Sequence, residues 1–409
     1  MRKILKKIIV LCILTTFTFS LTGCYDATGI EENAYVVAIG LDLAESNELE
    51  LTIQIATEGN NSSGGESSSS SSQSKQTNIT TVKCSSINSG ISLINNHISK
   101  QTNLSNCQVL VISEKLATYG IAEYIDTLLN NVELRNDCSV IISKCSAKDY
   151  LNNVKPSLEI FVARFYESTL QSAKYTGYTI NISLAKFYSK MKDTSCEPYA
   201  ILGAVSTESG TNSNAKLNYD NTAGENPITD SDVIDNFGIA IFKNDVLVGE
   251  LSGLDSICHV MITNELDECT MSVPNPFESG KYIDLLLTSE KDTKCSVSYV
   301  NNSPLISVDI YLDGRGLSLD EHIKYDSTES LNLIESSATK YIQNQVSNYL
   351  YKTAKEYNSD ICGFGKYAIS NYLTLQEWND SNWLGNYKNS FFDVNVYLNV
   401  ESGNLFTKS

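Results

Sequence analysis

A chain of 409 residues with 42% hydrophobic and 9% aromatic side chains can build two or three globular cores, so a disordered polymer is excluded. Its formal charge of −18 repels phosphate backbones, which excludes nucleic acid as a partner.

Arg2, Lys3, Lys6 and Lys7 form a positive head, and Ile8 to Leu21 follows without a charge. That is the pattern of a signal peptide over residues 1–23, too short for a stable membrane span. Leu21, Thr22, Gly23 and Cys24 come next and read as a lipobox. Small residues there let a signal peptidase reach the backbone, and the Cys24 thiol can take a diacylglyceryl group. A diacyl unit carries two chains, which is what stable anchoring needs. The plainer alternative is an ordinary cleaved signal with an incidental cysteine. No later stretch reaches eighteen uninterrupted apolar residues, so the body is expected on the extracytoplasmic face of a membrane, tethered by lipid.

Ala34–Asp42 is apolar almost throughout, and Leu49–Ala56 alternates through Leu49, Leu51, Ile53 and Ile55, which predicts a strand hairpin. Residues 58–76 are mostly Asn, Ser and Gly; they bury too little to offset their ordering entropy and predict a disordered loop. From Ile79 the pattern alternates. Strands fall at Ile79–Cys84, Gln108–Ser113 and Cys138–Ser143, and helices at Ile87–Ser99, Glu114–Tyr119, Ile121–Asn130 and Ala147–Val154. Such alternation builds helices on a sheet, an N-terminal α/β domain over 24–155.

A middle α+β domain over 156–275 follows, with helices Leu158–Gln171 and Ile182–Met191, a strand Ala200–Val205 and a polar loop to Asp235. Phe237–Leu251 reads as a hairpin turning at Asn244–Asp245, and Leu254–Thr263 as a helix. Pro274 and Pro276 mark a boundary. In the C-terminal domain, 276–409, strands at Tyr282–Thr288, Lys294–Val300 and Leu305–Leu312 precede a capping box at Asp326 and Glu329. A helix of about thirty residues follows, its stripe running through Ile334, Ala338, Ile342, Val346 and Leu350, and Phe392–Val400 alternates as a last strand. The fold class is α+β, in about three mixed domains, the last an antiparallel sheet packed by one long helix.

Candidate chemistry is thin. Ser183 with Lys186, and Ser337 with Lys340, match the S-x-x-K of penicillin-interacting enzymes, but the companion S-D-N and K-T-G strings are missing. His97, His259 and His322 lack a second ligand at helical spacing, so no metal is expected. Asp230, Asp232 and Asp235 resemble the start of a calcium loop, yet Ile241 stands where the bidentate glutamate belongs. Gly314 and Gly316 around Arg315 suggest a turn, and Gly363 and Gly365 a helix C-terminal cap. No cofactor is implied. Nine cysteines remain beyond Cys12 and Cys24, irregularly spaced and often within strands; they read as reduced core residues or as one or two opportunistic disulfides.

Several strings in this order resemble the Ger(x)C family, the lipoprotein C subunits of spore germinant receptors. They are the lipobox with Tyr25-Asp26 behind it, Val36–Asp42, Gln108–Glu114, Gly238–Asp245 with Leu247-Val248-Gly249, and Asp360–Gly365 with Trp378 downstream. Tyr25 stands where the family usually has tryptophan, and the serine-rich segment is an insertion. The resemblance implies three α+β domains and no catalytic residues. It also implies a non-enzymatic subunit, placed at the spore inner membrane with a polytopic A and an integral B subunit and needed for nutrient-triggered germination. Contact with the small-molecule germinant stays open. Phe364 and Trp378 are candidate docking residues, with simple packing the other reading. The rival function is a solute-binding lipoprotein delivering a nutrient to a permease, and that would need two similar lobes around a cleft.

Overall fold

The computed structural model describes residues 2–19, 29–45, 48–57, 77–156, 158–159, 161–206, 220–226, 233–317 and 328–401. The lipobox, the serine-rich segment, Asp230, Asp232, His322 and Asp326 lie outside them. Arg2–Phe19 forms a helix, α1, exposed over residues 2–11, and no described helix is long and apolar enough to cross a membrane.

The larger sheet takes its strands from Asn33–Leu43 (β1), Leu49–Ala56 (β2), Thr77–Cys84 (β3), Gln101–Asn103 (β4), Val109–Ser113 (β5), Ser139–Ser143 (β6), Tyr199–Ser206 (β7), Val233–Lys243 (β8) and Val246–Leu251 (β9). They lie in the order β3-β2-β1-β5-β6-β7-β8-β9, with β4 beside the start of β1. The central strands β1, β5, β6 and β7 are parallel, and antiparallel strands flank them. Every residue of β5 and β6 is buried, as expected where helices cover both faces of a parallel sheet. Those helices are Ile87–His97 (α2), Glu114–Tyr119 (α3), Ala122–Leu129 (α4), Ala147–Asn152 (α5), Val162–Gln171 (α6), Ala173–Thr176 (α7) and Leu184–Lys192 (α8). Because β6 pairs with β7, a single sheet joins strands from both sides of Pro156.

Helix α9, Gly253–Thr263, opens with a capping box between Ser252 and Asp255. Leu254, Ser256, Ile257, Cys258, His259, Val260, Met261 and Ile262 run all the way round it, and all are buried. A helix apolar all round belongs between layers. One side of α9 packs on β8 and the other on the second sheet and its long helix.

The second sheet is Glu268–Pro274 (β10), Tyr282–Val300 (β11), Ser303–Gly316 (β12) and Phe391–Glu401 (β13), in that order. It differs from expectation in three ways. β10 was hidden in a short alternation of Cys269, Met271 and Val273 next to Pro274. The two strands expected at 282–288 and 294–300 are one, its register shifting between Ser289 and Lys294 where the polar run imitates a loop. Finally, β13 pairs parallel to β12, from Leu305↔Phe391 to Arg315↔Glu401, so the sheet is mixed rather than antiparallel. A parallel return needs a long crossover, and the intervening helices supply it. The segment around Arg315 is therefore strand and not a turn, and Gly314 leaves room for Leu398 and Leu287, 3.2 and 3.5 Å from where its Cβ would stand.

The crossover begins with α10, Thr328–Tyr351, whose stripe Ile334, Ala338, Ile342, Val346 and Leu350 is buried on the sheet. Each of the larger side chains contributes about 1.5–3 kcal/mol by leaving water. The helix runs on through one wide turn, Lys352–Tyr357, and stops at Asn358 with φ 48°. Short helices Gly365–Ala368 (α11), Leu375–Ser381 (α12) and Trp383–Asn386 (α13) lead to β13.

Candidate functional site

The chemistry of this chain concentrates where the two sheets join. Asp360 sits there fully buried, just past α10. Its Oδ1 accepts from the backbone N–H of Gly363 at 2.8 Å and Phe364 at 3.1 Å, and its Oδ2 from Gly365 N–H at 3.0 Å and Trp383 Nε1 at 2.8 Å. Burial pushes its pKa up, and these four donors pull it back. Its own carbonyl accepts from Glu197 N–H at 2.9 Å, in the segment that leads into β7. Gly365 is needed because Ser195 O lies 2.3 Å from where a Cβ would stand. Gly363 has φ 77° and lets the loop fold back onto the carboxylate, so neither glycine caps α10 as expected; Asn358 does.

Other polar bonds cross the same joint. Ser359 Oγ donates to Phe242 O at 2.6 Å, Tyr357 Oη to Glu250 O at 3.1 Å, Lys352 Nζ to Asp255 at 2.8 Å and Trp378 Nε1 to Thr194 Oγ1 at 3.0 Å. Phe364 and Trp378, the expected docking residues, are both enclosed. Trp378 stacks on Trp383 at 6.2 Å, and Phe364 tilts against Phe392 of β13. What their side chains touch belongs to this chain. The same enclosure decides the family-like string Asp360–Gly365: it is an internal clasp.

His259 of α9 is buried beside the clasp, Nδ1 2.8 Å from Tyr349 Oη, with Cys362 Sγ 3.2 Å from the same hydroxyl. Its Nε2 has no partner. Burial, helped by Lys190, lowers its pKa from 6.5 to about 3, so the ring stays neutral. Between those values the unfolded chain holds a proton that the folded chain lacks. Stability from this residue is therefore lost as pH falls from about 6.5 toward 3, by up to about 1.4 kcal/mol per pH unit. Glu197 runs the other way: burial raises it from 4.5 to about 7 against the bond from Asn244 N–H, so its contribution fades as pH rises through that window. Urea unfolding of the native chain and of H259Q at pH 4.5, 5.5 and 6.5 separates the two. The advantage of the native chain should shrink toward acid, and a constant difference would refute this account.

Two crevices flank these elements. One, of about 360 Å³, lies against the clasp and is lined by Lys190, Glu265, Cys362 and Lys366. The other, of about 390 Å³, opens at the C-terminal ends of β1, β5 and β6, where open α/β sheets commonly bind ligands. Two of its charged groups are already paired. Asp42 accepts from Ala147 and Lys148 N–H at 2.8 and 3.1 Å, and Lys144 meets Glu250 at 2.9 Å and Thr222 Oγ1 at 3.0 Å.

The remaining sequence candidates are scattered. Ser183 Oγ caps α8 by accepting from Lys186 N–H, and Lys186 Nζ lies 3.8 Å from Glu265. Ser337 Oγ donates to Pro274 O at 3.0 Å. His97 is exposed in the last turn of α2. Asp235 accepts from Gly224 N–H at 2.8 Å and from the Asn226 amide, which fixes a turn. No group of three metal-type side chains occurs among the described residues. The nine cysteines from Cys84 to Cys362 are all free. Burial raises Cys196, Cys269 and Cys295 to about 12 and Cys362 further, which keeps them as protonated thiols rather than nucleophiles. Asp360 and His259 were missed as a pair in the sequence, since nothing in their spacing places them together.

Comparison with known proteins finds two families, one after the other along the chain. A "Spore germination protein N-terminal domain" family matches residues 26–203, and a "Spore germination B3/GerAC like, C-terminal" family matches 237–403. The chain belongs to the Ger(x)C family. Among Ger(x)C relatives it is 21% identical over 409 residues to the "Putative spore germination protein YfkR" of Bacillus subtilis (strain 168), covering 99% of each chain. It is 20% identical over 373 residues to "Spore germination protein KC" of the same organism, covering 89% of this chain and 87% of that one. A crystal structure of the GerBC protein aligns with 88% of this chain and 96% of its own, at TM-score 0.47 and 15% identity. The family's N-terminal match ends inside β7, so it stops within the larger sheet rather than at its edge.

Proposed function

We propose that this chain is the C subunit of a spore germinant receptor. It is a lipoprotein held through a diacylglyceryl group on Cys24 to the outer face of the spore inner membrane, and it works by contact with the A and B membrane subunits rather than by catalysis. The observation that carries the reading is that two spore germination families together match most of the chain, which also aligns along nearly the whole length of a spore germination relative. The joint is consistent with it: the bonds from Glu197 N–H to Asp360 O, Ser359 Oγ to Phe242 O and Trp378 Nε1 to Thr194 Oγ1 fasten one layer to the other. A body locked at that joint transmits force between neighbours as a unit.

The solute-carrier alternative needs two lobes that hinge around a cleft. Here the lobes would be a nine-stranded sheet and an unlike four-stranded one, fastened by buried bonds. Deleting the gene should abolish germination triggered by at least one nutrient, and the protein should co-purify from spore membranes with two integral partners. Normal germination with every nutrient tried would refute the receptor role. Tight titration of a nutrient by the purified chain alone would favour the carrier.

A further inference from the structure

Among the described residues of the body beyond α1, five aliphatic side chains are at least 70% exposed: Ile30 at 76%, Val132 at 100%, Leu158 at 96%, Leu373 at 94% and Leu375 at 70%. They come from four separate stretches of sequence. Topology brings them to one end of the molecule, the end at which β1, β5, β6 and β7 start.

Each placement follows from a neighbour. Ile30 lies three residues before Asn33, the first residue of β1. Val132, in the turn after α4, shares a shallow crevice with Thr102 and Leu104, and Thr102 pairs with Ala34 at the start of β1. Leu158 lies in the link from α5 to α6, three residues before Phe161, which faces Gln108 just ahead of β5. Leu373 and Leu375 lead into α12, and Trp378 of that helix donates to Thr194, five residues ahead of β7. Tyr299 and Tyr372, joined by a 2.8 Å bond between their hydroxyls, stand beside this last pair. The opposite end of the same strands is charged, lined by Asp42, Glu114, Lys115, Lys144 and Lys148.

We propose that the end bearing these five aliphatics rests against a lipid bilayer, with the side chains dipping into its interface. The inference rests on the Cys24 anchor proposed above. From Cys24 to Asn33 the chain spans nine residues, at most about 30 Å fully extended, and it enters the body at this end. The anchor and the aliphatic rim therefore face the same way. A bilayer suits the pattern better than a protein partner does. Protein hot spots gather aromatic and arginine side chains into one packed patch, whereas these are aliphatics from four separate stretches, with tyrosines near one of them as at membrane interfaces. The net charge of −18 opposes attraction to anionic lipid, so insertion is apolar and neutral lipid suffices.

The test uses the full lipidated chain reconstituted in phosphatidylcholine vesicles with and without bromine in the acyl chains. Tryptophan is introduced singly as Leu373→Trp, Val132→Trp and Lys115→Trp, all at exposed positions that leave the core intact, and the emission of the native Trp378 and Trp383 is subtracted. Brominated lipid should quench the added emission at least twofold at 373 and 132 and leave it unchanged at 115. Protein that floats with the vesicles while 373 and 132 stay as bright as 115 overturns the orientation and leaves the anchor standing. Quenching that never occurs, with a shift of emission only when integral partner subunits are added, assigns the rim to a protein and overturns it as well. A chain that does not float at all overturns the anchor and the inference together.

Discussion

Asp360→Ala should lower the free energy of unfolding by about 3–5 kcal/mol, the cost of leaving a buried, charge-assisted cluster without its centre. Three backbone N–H groups and the Trp383 indole lose their acceptor at once, in a place shut off from solvent. The loop 360–365 would then release Gly365 from Ser195 and Trp383 from its stack, so the two sheets should loosen at the joint. Asp360→Asn keeps the shape but turns one acceptor into a donor facing donors. It should cost less, about 1–3 kcal/mol. Urea unfolding followed by tryptophan fluorescence reads both, since the two tryptophans of the chain lie at the clasp. If Asp360→Ala unfolds within 1 kcal/mol of the native chain, the clasp is not what joins the layers.

Cys24→Ser should move the protein out of the membrane fraction. The hydroxyl cannot form the thioether, so both acyl chains are lost, and at about 0.8 kcal/mol per buried CH₂ two long chains account for nearly all of the anchoring. The aliphatic rim alone offers a handful of side chains, enough for weak and reversible contact. Fractionation of spores should show at least a tenfold fall in the membrane-bound share, with nutrient response falling alongside it. Retention of the serine variant at the native level, with full response, would remove the anchor from this account.

How much was legible in advance depended on the range of the interactions involved. Strand β1, helix α3, the hairpin at Asn244–Asp245 and the stripe of α10 were readable because apolar periodicity and asparagine turns act within a few residues. Asn244 does adopt positive φ at that turn. The parallel pairing of β13, by contrast, depends on where a crossover of helices delivers the strand, and its own alternation is the same for either direction. The union of β6 with β7 across Pro156 was invisible for the same reason.

The candidate site divides along that line too. The string Asp360–Gly365 was legible as a family-like string with its glycines read as a helix cap, and Phe364 and Trp378 as candidate docking residues. Whether such residues face outward or inward is decided by what packs over them, here Ser195, Thr194 and β13 from distant parts of the chain. The sequence by itself determined the charged head, the net acidity and most of the order of elements, because each is a local or additive property. Only the tertiary structure decided that the glycine loop is a clasp around a buried carboxylate and that five scattered aliphatics share one end, since both facts arise from contacts between residues far apart in the chain.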